Sequence, residues 1–77
     1  MDIKLYVKDY CPYCKAVMNY LDGKNIAYTK VEVSDKPEIY AKLKQETGHQ
    51  TVPQVFIDGK FIGGSDDFKV YAKENNI

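Results

Sequence analysis

The sequence predicts an α/β domain in which a parallel strand–helix–strand unit is joined to an antiparallel hairpin and closed by a last helix. Three observations carry this reading. Ile3, Leu5 and Val7 alternate with polar neighbours, Pro12 to Leu21 repeats at helical spacing, and residues 27–33 form a β-branched and aromatic run. Asp58-Gly59-Lys60 lies between Val55-Phe56-Ile57 and Phe61-Ile62, the signature of a tight hairpin. The chain holds two cysteines, Cys11 and Cys14, placed where the first strand gives way to the first helix.

The first strand is Ile3 to Val7, with Lys4 and Tyr6 on its other face. The first helix runs from Pro12 to Leu21; Ala16, Val17, Tyr20 and Leu21 form its apolar stripe and Gly23 is expected to cap it. Proline suits the first helical position, where the missing N–H costs nothing. Ala27 to Val33 is the second strand, and a short strand–helix–strand connection makes the two strands parallel. Ser34 is expected to cap a second helix, with Pro37 in its first turn, Ile39 and Leu43 as its apolar stripe, and Gly48 just past its end. After the hairpin, Gly63-Gly64 leads to a last helix that Ser65 or Asp66 would cap, carrying Phe68, Val70 and Tyr71. The elements fill residues 1–77 as one domain without linkers or repeats.

Lys+Arg and Asp+Glu both total 11, so the formal net charge is zero, and every basic residue is lysine. Nucleic-acid binding needs a basic excess that this chain lacks. No apolar run approaches the ~20 residues of a membrane span, and the amino terminus reads as no signal peptide. A reducing cytoplasm is the expected setting, and a lone C-x-x-C there is more often catalytic than structural.

Three stretches carry chemistry. In Cys11-Pro12-Tyr13-Cys14, a helix opening at residue 12 places Cys11 at its mouth and Cys14 one turn in. Unpaired N–H groups at a helix start, with Lys8 and Lys15 flanking, favour a thiolate on the outer sulfur. Cys11 is then the attacking thiol and Cys14 the resolving one. A structural disulfide or half of a zinc site is the plainer reading of such a pair, but a zinc site wants two further ligands and His49 is the only histidine. No metal site is expected. Thr51-Val52-Pro53 precedes the hairpin; a proline there can be a simple strand entry. Gly63-Gly64-Ser65-Asp66-Asp67 brings glycines to a helix start, which suits a carboxylate, and adds carboxylates that could receive an ammonium. Taken alone, a glycine turn with an aspartate cap is the better reading of this stretch.

These three motifs, in this order and spacing, closely resemble the glutaredoxins, from Tyr6 to Phe68. The resemblance implies a thioredoxin-like fold: one four-stranded mixed sheet with helices on both faces, and a cis bond before Pro53. It implies a dithiol oxidoreductase that reduces protein disulfides and protein–glutathione mixed disulfides, with glutathione as co-substrate and no permanently bound cofactor. By the same resemblance, Lys8 and Tyr13 meet the glycine end of glutathione. Thr51, Val52 and Pro53 line the groove, with Val52 pairing its backbone with the cysteinyl unit. Gly64, Ser65, Asp66 and Asp67 hold the γ-glutamyl end, one of the two aspartates receiving its ammonium.

Two positions depart from the family pattern: Tyr40 stands where Gln or Arg is frequent, and Gln50 where Arg is common. With no arginine in the chain, Lys8 is the one evident cation for the glycine end. His49 reads as a loop residue rather than a base. Expected partners are glutathione and disulfide-bonded or glutathionylated proteins, ribonucleotide reductase among the candidates, for a monomer engaged in electron transport and redox homeostasis. The rivals are an electron donor fed by thioredoxin reductase, and a carrier holding an iron–sulfur cluster through Cys11 and glutathione.

Overall fold

A computed structural model describes all residues, Met1–Ile77. The chain runs β1 (Ile3–Val7), α1 (Pro12–Gly23), β2 (Thr29–Glu32), α2 (Pro37–Thr47), β3 (Gln54–Ile57), β4 (Lys60–Gly63) and α3 (Ser65–Glu74). The four strands form one sheet in the order β2-β1-β3-β4. β1 pairs parallel with β2, Leu5 opposite Lys30, and antiparallel with β3, Leu5 opposite Val55. β3 and β4 form the hairpin. Its two-residue turn places Asp58 at φ 51° and Gly59 at φ 81°, the left-handed pair that matches strand twist.

Period two sends alternate residues of a strand to opposite faces. Ile3, Leu5 and Val7 of β1 and Val55 and Ile57 of β3 therefore share one face, where they bury against Cys14, Val17 and Leu21 of α1 and Phe68 and Ala72 of α3. Tyr6 and Phe56 project from the other face, edge to face at 5.5 Å, and Phe61 continues the row at 5.4 Å from Phe56. α2 covers part of this second face: its buried Leu43 lies outside the main core and shares a shallow groove with Tyr6 and Ile39. Two helices thus lie on one face and one on the other.

Several local expectations are corrected. The second strand is shorter than residues 27–33, although Val33 still donates its N–H to the Val7 carbonyl at 2.9 Å. Gly23 stays inside α1, and the chain reverses at Asn25, whose φ of 57° is a conformation asparagine tolerates. Ser34 does not cap α2; the cap is Lys36, without a side-chain hydrogen bond. The Ser34 hydroxyl is instead engaged by Glu32 and Asp9. Neither Ser65 nor Asp66 caps α3: Gly64 does, and its amide donates to Asp67 Oδ2 at 3.3 Å. Ile39 and Val70 are exposed rather than packed. At 100° per residue, Ala72 and not Val70 falls on the Phe68 side of α3. Pro37 at the start of α2 and the left-handed Gly48 at its end match expectation.

Candidate active site

Cys11 and Cys14 are placed by the start of α1. Cys11 is the N-cap residue, its backbone extended at φ −90° and ψ 114°, and Pro12 opens the helix. The Cys14 amide donates to Cys11 Sγ at 3.3 Å, and the Cys11 thiol faces the Val52 carbonyl at 3.6 Å. Both cysteines are free thiols. Cys11 keeps 8% of its surface open, whereas Cys14 is fully buried. Burial, reinforced by its hydrogen bond to Cys11, pushes the Cys14 thiol up to about 12. The two sulfurs are thus chemically unequal: one reachable and cradled by an N–H, the other a buried neutral thiol one turn behind it.

Beside this pair lies an open cleft of about 240 Å³, lined by Tyr13, His49, Thr51, Val52, Pro53, Gly64, Ser65, Asp66 and Asp67. Every residue expected of the cleft is among its walls except Lys8. The Val52–Pro53 bond is cis. One rim is the exposed ring of Tyr13, and the opposite one is the start of α3. Gly64 is glycine for reasons of contact: a Cβ there would lie 3.1 Å from His49 Nε2 and 3.6 Å from the Pro53 carbonyl oxygen. The bare backbone lets the β4–α3 turn close on the Pro53 segment.

Two residues act at the cleft without any signal in the sequence. His49 was expected to be a plain loop residue, yet its ring lines the cleft, with Nε2 3.2 Å from Thr51 Oγ1 and its centre 5.7 Å from that of the tilted Phe61 ring. Gln54 is fully buried behind the cleft. Its Nε2 donates to the carbonyls of His49 at 2.7 Å and Thr51 at 3.2 Å, and its Oε1 lies 2.9 Å from Thr47 Oγ1. One side chain therefore fastens the end of α2 and the 49–51 segment to the sheet.

Lys8 stands apart from the cleft. Its ammonium lies 4.3 Å from the centre of the Tyr40 ring and 5.9 Å from that of Tyr10. A larger groove of about 590 Å³ runs between α1 and α3, walled by Ala16, Val17, Tyr20, Phe68 and Ala72 among others. None of its walls meets the Cys11 sulfur, whereas the smaller cleft includes Val52, whose carbonyl that sulfur faces at 3.6 Å, so the smaller cleft is the one placed for sulfur chemistry.

The glutaredoxin family model matches residues 3–62. The chain is 46% identical over 67 residues to a glutaredoxin of Ricinus communis, covering 83% of this chain and 66% of the relative. It is 39% identical over 77 residues to glutaredoxin 1 of Rickettsia prowazekii, covering 97% of this chain and 81% of that one. Among solved structures, a buckwheat glutaredoxin–glutathione complex superposes with a TM-score of 0.87 at 38% identity, over 95% of this chain and 69% of that one. The sheet order, the paired cysteines and these likenesses agree: the chain belongs to the glutaredoxin family, thiol–disulfide oxidoreductases of thioredoxin-like fold.

Proposed function

We propose that the chain is a glutathione-dependent oxidoreductase that reduces protein disulfides and protein–glutathione mixed disulfides in the cytoplasm, as a monomer without a resident cofactor. The observation that carries this is the inequality of the two sulfurs beside a cleft that the Cys11 thiol adjoins through Val52. Cys11, as thiolate, attacks one sulfur of the substrate disulfide. The S–S bond breaks, the far sulfur leaves as thiolate, and Cys11 is joined to the near one. For a protein disulfide, Cys14 then gives up its proton and attacks Cys11 Sγ, releasing the second substrate thiol and leaving a Cys11–Cys14 disulfide. One glutathione opens that disulfide onto Cys11 and a second removes the first as glutathione disulfide, so two glutathiones supply the two electrons. A glutathionylated protein needs Cys11 alone.

Glutathione would lie along the cleft with its sulfur at Cys11, its cysteinyl unit against the Val52 backbone, and Tyr13, Thr51 and Pro53 beside it. Gly64 and Ser65 at the start of α3 would take the γ-glutamyl carboxylate. Asp66 would take the ammonium, because Asp67 already spends a carboxylate oxygen on the Gly64 amide. Disulfide-bonded and glutathionylated proteins, ribonucleotide reductase among the candidates, are the proposed partners.

The test is turnover of a small glutathione mixed disulfide with glutathione, glutathione reductase and NADPH. Turnover by the wild type and by Cys14→Ser, with none by Cys11→Ser, is expected. Reduction only by thioredoxin reductase would overturn the glutathione reading.

A further inference from the structure

The exchange chemistry leaves the groove between α1 and α3 without a role, although at about 590 Å³ it is the larger of the two hollows. Its floor is apolar: Ala16 and Tyr20 come from α1, Phe68 and Ala72 from α3, and Ile77 joins them. The Tyr20 ring stands edge to face on Phe68 at 5.8 Å, and its hydroxyl donates to the Ile77 carbonyl, which holds the floor together. Tyr20 still keeps 37% of its surface open, so the floor can be reached from outside. Every charged residue around it is a lysine. Lys24 stands on the α1 side, its ammonium 5.2 Å from the centre of the Tyr20 ring, and Lys69 and Lys73 stand on the α3 side. None of the three has a carboxylate within 4 Å; the chain's one such pair is Lys42–Glu46 at 3.9 Å. Lys69 and Lys73 are one turn apart on the same helix, where like charges repel and weaken it. In a chain of zero formal charge, this rim is a local excess and no reflection of composition.

A ligand for this groove must bring apolar surface to the floor and negative charge to both sides. A small amphiphile with one carboxylate answers one lysine and leaves the others as they were. Carboxylates spaced along both flanks of an apolar stripe answer all three, and that is the surface of an acidic amphipathic helix. We propose that the α1–α3 groove docks such a helix of a partner protein, its apolar stripe on Ala16, Tyr20 and Ile77 and its acidic side chains at Lys24, Lys69 and Lys73. The groove shares no wall residue with the cleft, so the partner and a ligand at Cys11 can be bound at once. It is also near the sulfur: Ala16 lies about 7.5 Å along α1 from Cys11, at 1.5 Å per residue. A docked partner is therefore held next to the exchange site without blocking it.

The experiment titrates the whole chain with a stapled synthetic helix that carries leucines at i, i+3, i+4 and i+7 and glutamates on both flanks. Amide NMR shifts locate the binding and give its strength. Two twins of the peptide carry glutamine or lysine in place of every glutamate. Sodium decanoate and phosphatidylglycerol vesicles stand for a small amphiphile and a membrane. The glutamate peptide should bind about tenfold more tightly than its glutamine twin at low salt, the size of a few exposed ion pairs, and lose that advantage as salt is raised. Amides of residues 16–24 and 68–77 should shift while those of residues 49–53 stay in place. Lys69→Glu with Lys73→Glu should weaken the glutamate peptide about tenfold and bind the lysine peptide more tightly than the parent does, a gain that an unfolded variant would not show. No binding of the glutamate peptide at millimolar concentration, equal binding of the glutamate and glutamine twins, or no effect of the charge reversal overturns the proposal. So do shifts centred on residues 49–53. Decanoate that binds as tightly and moves the same amides gives the groove to a small amphiphile, and capture by the vesicles without peptide binding gives it to a membrane; either overturns the partner helix.

Discussion

The Asp67 carboxylate folds back onto the Gly64 amide at 3.3 Å and closes the first turn of α3, which leaves its exposed neighbour Asp66 as the carboxylate with no backbone duty. The two aspartates should therefore fail differently. Asp67→Asn weakens a helix cap and should lower stability by about 0.5–2 kcal/mol. Asp66→Asn should leave stability within about 0.5 kcal/mol and raise the KM for glutathione several-fold with little change in kcat. Denaturant unfolding beside steady-state kinetics separates the two. A KM change in Asp67→Asn alone would reverse the roles.

Gly63 makes that turn possible. Its φ of 135° is one that side chains avoid, and a Cβ would fall 2.2 Å from Asp67 Oδ2. Gly63→Ala should cost about 1–3 kcal/mol and displace the Asp67 cap, moving Tm and KM together. An alanine variant with the parental Tm would show that the turn accommodates a side chain.

Cys14 makes the fold pH-sensitive at the alkaline end. Its thiol is raised from the ordinary 9.0 to about 12 by burial. Between those values the unfolded chain has released a proton that the folded chain still holds, so stability falls as pH rises. The contribution is complete below about pH 9 and declines by up to ~1.4 kcal/mol per pH unit towards pH 12. Unfolding measured from pH 8 to 11 should show this slope in the parent and a shallower one in Cys14→Ser. At pH 7, iodoacetamide should modify Cys11 and spare Cys14. Equal labelling of both would mean that Cys14 is neither buried nor raised.

Gln54 connects the cleft to the sheet. Replacing it with leucine leaves the carbonyls of His49 and Thr51 without their donor, a loss of about 1–3 kcal/mol for buried groups. Because those carbonyls belong to a wall of the cleft, Gln54→Leu should also raise the KM for glutathione. Faster amide exchange at residues 49–51, with α1 unchanged, is the expected signature. Unchanged exchange there would show that the segment holds itself.

Much of this was legible in the chain. Alternation in Ile3–Val7, Asp-Gly between apolar runs and proline after Cys11 are local signals with local causes, and the structure follows each. The capping assignments failed where a side chain had a better partner elsewhere. Ser34 goes to Glu32 and Asp9, and Asp67 reaches back to Gly64 in place of a serine cap. His49 and Gln54 gave no sign because their roles depend on the β4–α3 turn and the end of α2 meeting in space. Lys24, Lys69 and Lys73 are the same case: only the fold brings them round one groove, and a count of charges treats them as three lysines of eleven.

The central claim is that Cys11 is the sulfur that exchanges with glutathione while Cys14 waits behind it. Intact-mass analysis of Cys14→Ser and Cys11→Ser, each reduced and then exposed to glutathione disulfide at neutral pH, tests it most directly. The account predicts one glutathione attached within seconds to Cys11 of the first variant, and no adduct on the second. Rapid attachment to Cys14 in the second variant, or none in the first, would contradict it.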